Sequence, residues 1–328
     1  MRPEESATET APVNDARPFI GTSACLAGDE VRFNGGHAQS RFFMQKMADA
    51  VRFIKVCPEV ESGMGVPRET VRLVARDRIR VVGSRSGEDH TDRLETWASA
   101  RVQHLAELPL DGFLLKKDSP SCGVARVKIY AEGANAMPTR DGQGVFAEAL
   151  QKAMPWLPLC EDGWLADPSL RESFLSCVYT HRRFRNDVLA APTRNGLMKF
   201  HAAHKFLYLA HSPEGYRKLG RICASVASRP LEDVVAEYRL IMMKTLAARA
   251  TPGKHANVLQ HILGYFRNLI PTDDRLEIMG YIESFRSGTH GLSTPLTLLI
   301  HHLRRHAQGT WLAEQRYFDP FPETIAVR

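Results

Sequence analysis

The apolar pattern of this 328-residue chain changes period near Glu161–Pro168, which limits it to two differently built halves. Before that point short apolar runs alternate with amphipathic stretches. Strands are predicted at Pro18–Ser23, Ile54–Val56, Gly112–Leu115, Val124–Tyr130 and Leu157–Leu159, with a hairpin of Val71–Ala75 and Ile79–Val82. Helices are predicted at Ser40–Phe53, Asp92–Leu108 and Gly144–Met154. Such alternation implies an α/β domain, a mostly parallel sheet flanked by helices. From Ser169 onward nearly every segment has a 3.6-residue period: Ser169–Leu189, Leu197–Ala210, Pro213–Ala227, Leu231–Ala248, His255–Leu269, Thr272–Ser287 and Pro295–Ala307. Breaks at Ala191-Pro, Ser212-Pro, Thr251-Pro-Gly and Ile270-Pro separate them, so an all-α C-terminal domain follows. The expected organisation is a disordered leader over residues 1–16, an α/β domain over 17–164 and a helical domain over 165–328.

Composition excludes some functions and favours others. No run approaches the roughly 18 apolar residues of a membrane span. The acidic, polar first sixteen residues lack the apolar core of a secretory signal, which predicts a cytoplasmic protein. Charge divides unevenly: residues 165–328 carry 22 Lys+Arg against 14 Asp+Glu, a net of +8, while residues 1–164 carry 21 against 23, a net of −2. A basic half joined to a near-neutral one suits a polyanionic partner, most simply nucleic acid; an ordinary basic surface is the other reading. No obligatory protein partner is evident.

Six cysteines in a reducing compartment suit metal binding or catalysis better than disulfides. Cys25, Cys57 and Cys122 each follow a predicted strand, in loops bearing Gly or Pro: Ser23-Ala-Cys-Leu-Ala-Gly28, Val56-Cys-Pro-Glu-Val60 and Ser119-Pro-Ser-Cys-Gly123. Equivalent strand ends of one parallel sheet bring their loops side by side, at the edge where ligands collect. Three converging thiols could hold a metal or cluster with one coordination position left over; three small core thiols are the alternative. Cys160, Cys177 and Cys223 lie in apolar stretches and read as core.

The same loops, with Val31-Arg-Phe-Asn-Gly-Gly-His37, Gly65-Val-Pro-Arg68 and Lys116-Lys-Asp-Ser-Pro-Ser-Cys-Gly123, resemble the thiouracil desulfidase family over most of residues 18–160. The helical half, through Lys199-Phe-His-Ala-Ala-His-Lys205, Tyr216-Arg-Lys-Leu-Gly220 and Asn257-Val-Leu-Gln-His-Ile-Leu-Gly-Tyr-Phe266, resembles the domain fused to it in bacterial tRNA 4-thiouridine desulfidases. The resemblance implies a 4Fe–4S cluster on Cys25, Cys57 and Cys122 with one open iron. It also implies a non-redox reaction in which that iron binds the thiocarbonyl sulfur while water attacks C4, giving uridine in tRNA.

A water nucleophile calls for a base, and Glu59, held beside Cys57 by Pro58, is the candidate. Ser119 and Ser121 flank Pro120 and are candidates to touch the pyrimidine or relay a proton, with Ser119 ranked first; Asp118 is a further one. Arg32, Lys116, Lys117 and Arg68 are candidate phosphate contacts. In the helical half, Arg182, Arg183 and Arg185 of His181-Arg-Arg-Phe-Arg185, with Lys205, Arg217 and Lys218, are expected to meet RNA. His201, His204 and His211 read as structural or RNA-facing rather than as metal ligands. The competing functions are desulfurisation of free thiouracil or thionucleotides, a non-catalytic cluster-holding regulator that binds nucleic acid, and a cysteine hydrolase using Cys122.

Overall fold

The computed structural model describes residues 17–133 and 137–325, so the expected leader lies outside the described residues. In chain order the N-terminal elements are β1 (Phe19–Ser23), β2 (Arg52–Val56), a single-turn α1 (Pro58–Glu61), β3 (Val71–Ala75), β4 (Ile79–Gly83), α2 (Thr91–Glu107) and β5 (Leu110–Leu115). Then come β6 (Val127–Ala131), β7 (Thr139–Gly142), α3 (Val145–Ala153) and β8 (Leu159–Glu161). The strands form two sheets. One has the order β2-β1-β5-β8 with every neighbour parallel; the other has the order β4-β3-β6-β7 and mixes an antiparallel hairpin with a parallel β3–β6 pairing.

The parallel sheet follows from its sequence. Every residue of β1 and β5 is buried, as expected of strands covered on both faces. Gly21 lies so close to the Phe113 ring on the neighbouring strand that a Cβ would fall 2.1 Å from it, so the ring fills the space a side chain would take. Phe113 then meets Phe146 of α3 edge-on at 5.5 Å, and Trp97 of α2 packs against the same Phe146 ring. Asp111, buried in β5, is satisfied at least in part by the Phe19 amide, which donates to Oδ2 at 3.0 Å. The second sheet has a smaller core of Leu73, Val81, Leu94 and Val127.

The expected helix at Ser40–Phe53 is a correction. Only a short helical stretch ending in a π-turn at Phe43–Met47 forms, because Arg52 and Phe53 are drawn into β2, paired with Phe19 and Ile20. The expected single sheet is likewise two.

The C-terminal helices are α4 (Pro168–Phe184), α5 (Arg194–His211), α6 (Pro213–Ala224), α7 (Leu231–Ala247), α8 (Pro252–Tyr265), α9 (Thr272–Arg286) and α10 (Ser293–His306). The breaks seen in the sequence are helix starts. Thr193, Ser212 and Thr251 each accept a backbone N–H three residues on, and Pro213 and Pro252 occupy the first turn, where a missing N–H costs nothing. The described residues divide into two compact units, one ending at Phe174 and the other beginning at Leu175, so the division falls inside α4. No helix among the described residues is long and apolar enough to cross a membrane.

Four histidines of the helical unit are interior or half-buried groups: His201, His204, His211 and His255. His204 stacks on Phe200 with ring centres 4.0 Å apart and bonds the Phe200 carbonyl through Nδ1; His201 bonds the Tyr238 hydroxyl, and His255 the Tyr317 hydroxyl. Burial pushes His204 down to about 3 and His201 and His255 down to about 4, and lowers His211 as well. An unfolded chain binds these protons near pH 6.5, while the folded one refuses them until far lower pH. Stability is therefore full above the ordinary histidine range and is lost progressively as pH falls from about 6.5 toward 4. Urea unfolding of the helical signal at pH 7, 6 and 5 should show midpoints that fall with pH; equal midpoints would contradict this assignment.

Candidate active site

Three adjacent parallel strands each deliver one thiol to the same edge. β1 runs into a tight turn, Ala24–Ala27, that carries Cys25 and is closed by Gly28 at φ +99°, a left-handed conformation that favours glycine. The Cys25 carbonyl accepts the Ala38 amide at 2.9 Å, fixing the turn to the returning loop. β2 ends at Cys57, which caps α1; the Glu61 carboxylate accepts the Cys57 amide at 2.9 Å. β5 leads to the third loop, where the Ser119 hydroxyl oxygen accepts the amides of Ser121 and Cys122 at 3.2 and 3.1 Å.

That third loop rests on the start of α3. A Cβ on Gly144 would lie within 2.6–2.8 Å of the Ser121 carbonyl group and the Cys122 nitrogen, so glycine is what lets the helix approach. The Val145 and Phe146 amides then donate to the carbonyls of Pro120 and Ser121.

Cys25, Cys57 and Cys122 line one cavity of about 410 Å³, together with Glu59, Ser119 and Lys116. Burial pushes the Cys25 thiol up to about 11, with Cys57 adding repulsion and Lys116 partly offsetting it. Burial raises Cys57 as well, and Cys122 well above the ordinary thiol range despite a hydrogen bond from Ser23. These environments disfavour an isolated thiolate, which argues against Cys122 as a lone hydrolytic nucleophile. They suit a positively charged group that takes the protons' place on all three sulfurs. Among the described residues no three His, Cys, Asp or Glu side chains are grouped tightly enough for one metal ion. Three cysteine sulfurs delivered by three loops are a donor set that fits a thiophilic, polynuclear iron–sulfur group. Cys160, Cys177 and Cys223 are buried elsewhere, outside the cavity lining, and burial raises Cys177 and Cys223 to about 12.

Glu59 is held by two partners. Arg68 donates from Nε, at 2.8 Å, and from Nη2 to Oε2, while the Ser121 hydroxyl donates to Oε1 at 3.0 Å. Both supports are buried, Arg68 with only 6% of its side chain exposed. The expectation that Arg68 meets phosphate is therefore a correction. Its Nη1 and Nη2 also bond the carbonyls of Gly65 and Val31, so four of its five N–H groups are engaged within the protein. Ser119 lines the cavity; Ser121 is fully buried behind it and touches Glu59, so its place is beside the base rather than against a pyrimidine. Lys116 is paired with Asp162 at 2.8 Å, Lys117 is exposed at the rim, and Asp118, exposed and at φ +57°, contacts Arg140. Sequence reasoning missed Ser23, Asp162 and the anchoring role of Arg68. Ser23, two residues before Cys25 at the end of an apolar strand, was the one visible signal.

The helical unit separates its expected RNA contacts. Arg182 is buried, and Arg183 donates to the carbonyls of Pro320 and Asp319, so neither presents a guanidinium to a partner. The sequence counts their charge but not their burial: α4 is buried continuously from Leu175 to Arg182. Arg185 is half-buried, Lys205 sits 3.8 Å over the Trp311 ring, Arg217 is exposed and Lys218 pairs with Glu214.

Residues 20–162 match the family described as 2-thiouracil desulfurase, and residues 205–322 match a family described as a protein of unknown function (DUF1722). The chain is 36% identical over 137 residues to the uncharacterized protein YbgA of Escherichia coli (strain K12), covering 42% of this chain and 80% of that protein. It is 32% identical over 141 residues to the uncharacterized protein YbbK of Bacillus subtilis (strain 168), covering 41% of this chain and 91% of that one. Among solved structures, a 4Fe–4S-dependent thiouracil desulfidase, TudS, is 26% identical with a TM-score of 0.38, covering 46% of this chain and 95% of that one.

Proposed function

The chain belongs to the 2-thiouracil desulfurase family, enzymes that cleave a carbon–sulfur bond, and on that premise we propose that it hydrolyses the thiocarbonyl of 4-thiouridine in tRNA. The observation that carries the chemistry is the lining of one cavity by Cys25, Cys57 and Cys122, with Glu59 on the same wall. Bound on those three cysteines, a 4Fe–4S cluster supplies a thiophilic Lewis acid for the substrate's sulfur.

The protein's own residues supply the rest. Arg68 engages Oε2 of Glu59 twice, so Oε1, which receives only the Ser121 hydroxyl, keeps a lone pair for the proton of an attacking water. Ser119 accepts two backbone amides through its oxygen, and its hydroxyl proton remains to donate to the pyrimidine edge. Val31, Val56 and Pro58 on the cavity wall limit bulk water around the thiols, so the proton transfers stay local. A base seated this deep has left its stack.

The tRNA assignment is supported by the net charge of +8 over residues 165–328 and by the sequence motifs of the helical half. Free thiouracil is the second reading, favoured by a cavity whose lining comes wholly from the N-terminal unit. Anaerobically prepared full-length protein should remove the near-UV absorbance of 4-thiouridine from bulk tRNA faster than that of 4-thiouracil at equal concentration. Turnover of the free base alone would favour the second reading.

A further inference from the structure

Beside the cysteine cavity lies a second, shallower groove of about 300 Å³, and the two share Val71, Asp118 and Pro120 on their walls. The groove is formed on β3, β6 and β7 and is lined by Arg72, Lys128, Tyr130 and Arg140. Lys128 and Tyr130 alternate along β6 with Val127 and Ile129, which pack on the small core, and Val71 and Val127 also line the groove.

Its cations differ from those nearby. On the adjoining hairpin Arg76 pairs with Glu132, Arg78 with Asp92 and Glu95, and Arg80 with Asp77. In the groove, among the described residues, Arg72 and Lys128 pair with no carboxylate. Arg72 lies over the Tyr130 ring at 5.3 Å, and Arg140 reaches Asp118 only at 3.5 Å. Three exposed cations gathered on one wall, with little local neutralisation, form an anion site. The groove and the thiol cavity adjoin through Val71, Asp118 and Pro120, so one ligand can reach both.

We propose that the Arg72–Lys128–Arg140 groove seats the phosphodiester backbone flanking the target base, so that the catalytic unit itself selects a polynucleotide substrate. This rests on the thiolated-pyrimidine reading of the cavity and places phosphate contacts in this groove instead of on Arg68 and Lys116, which are internally engaged. A nucleoside 5′-phosphate shares the chemistry of a backbone phosphate, and the probes below separate the two. Phosphate contacts position the chain and leave base choice to the cavity.

The test is equilibrium binding of the full-length protein to uridine, uridine 5′-monophosphate and a single-stranded hexauridylate RNA across a salt series. The expected order is hexauridylate tightest and uridine weakest. A combined Arg72→Ala, Lys128→Ala and Arg140→Ala variant should bind the hexamer about tenfold more weakly at low salt, and its log–log salt slope should flatten by about 2, near 0.7 for each phosphate no longer neutralised. The single Lys128→Glu variant, at an exposed position, should shift both in the same direction. Arg78→Ala, which removes a paired arginine of the same unit, should bind like the parent protein. Parent-like affinity and slope in the combined variant would overturn the proposal, as would an equal loss in Arg78→Ala. Affinity already complete with uridine 5′-monophosphate would overturn the polynucleotide claim. Failure of the parent protein to desulfurise any thiolated pyrimidine would sink the reading of the cavity while leaving these binding results standing, so the two failures are distinguishable.

Discussion

Alanine at any one of Cys25, Cys57 or Cys122 should leave a folded protein that retains little iron, lacks the visible thiolate-to-iron absorbance and shows no measurable desulfurisation. The expectation is this steep because the three positions are not redundant. Each thiol stands at the end of a different strand, and the other three cysteines lie outside the cavity lining. Burial and mutual repulsion disfavour ionisation of these thiols in the absence of a bound cation, so two remaining sulfurs make a poor partial site. The fold should survive, since Cys25 and Cys57 are only partly buried and each change removes a single sulfur. Cys160→Ala and Cys177→Ala are the controls: both are buried outside the cavity and should keep iron and turnover. Iron content, visible spectra and turnover measured on all five variants decide the matter. A Cys57→Ala protein with full iron and full activity would remove the three-ligand assignment.

Glu59→Gln should reduce single-turnover desulfurisation by about 10²–10⁴-fold, the span general-base catalysis contributes, with little change in KM. Glutamine keeps the shape; its one carbonyl oxygen is claimed by the two Arg68 N–H groups, and the amide nitrogen that then replaces Oε1 cannot take a proton from water. Ser121→Ala should cost far less, about tenfold or below, because it loosens the carboxylate without removing the base. The two are best compared by rapid-mix decay of the thiocarbonyl absorbance with iron content matched to the parent. Parent-like rates in Glu59→Gln would move the base elsewhere, with Ser119 next in line on the cavity wall.

Much of the architecture was legible because the elements that matter most have the plainest patterns. Strands β1 and β5 are short, largely apolar runs, and the breaks read at Ser212-Pro and Thr251-Pro are helix starts, each capped by its Ser or Thr side chain. The second sheet was harder to see. Its β7, Thr-Arg-Asp-Gly, has no large apolar residue and exists because β6 offers it an antiparallel partner. The helix expected at Ser40–Phe53 failed for the matching reason, that β1 claims its last residues as a strand.

At the site, the convergence of the three cysteines on one cavity was legible from their loops, and so was the place of Glu59 beside them. The division of labour between Ser119 and Ser121 was not, since it depends on which hydroxyl the turn directs toward Glu59. Nor could composition tell buried arginines from available ones. Arg182 and Arg183 count toward the basic half yet lie in the interior or bond backbone, whereas the exposed Arg72, Lys128 and Arg140 belong to the near-neutral half.

The most direct measurement is a single turnover of tRNA containing 4-thiouridine by anaerobic, iron-loaded protein, following thiocarbonyl absorbance, uridine formed in the tRNA and sulfide together. The account predicts that all three change in equal amounts and with one rate, without added reductant or oxidant. A thiocarbonyl that persists in the presence of fully loaded protein would contradict it.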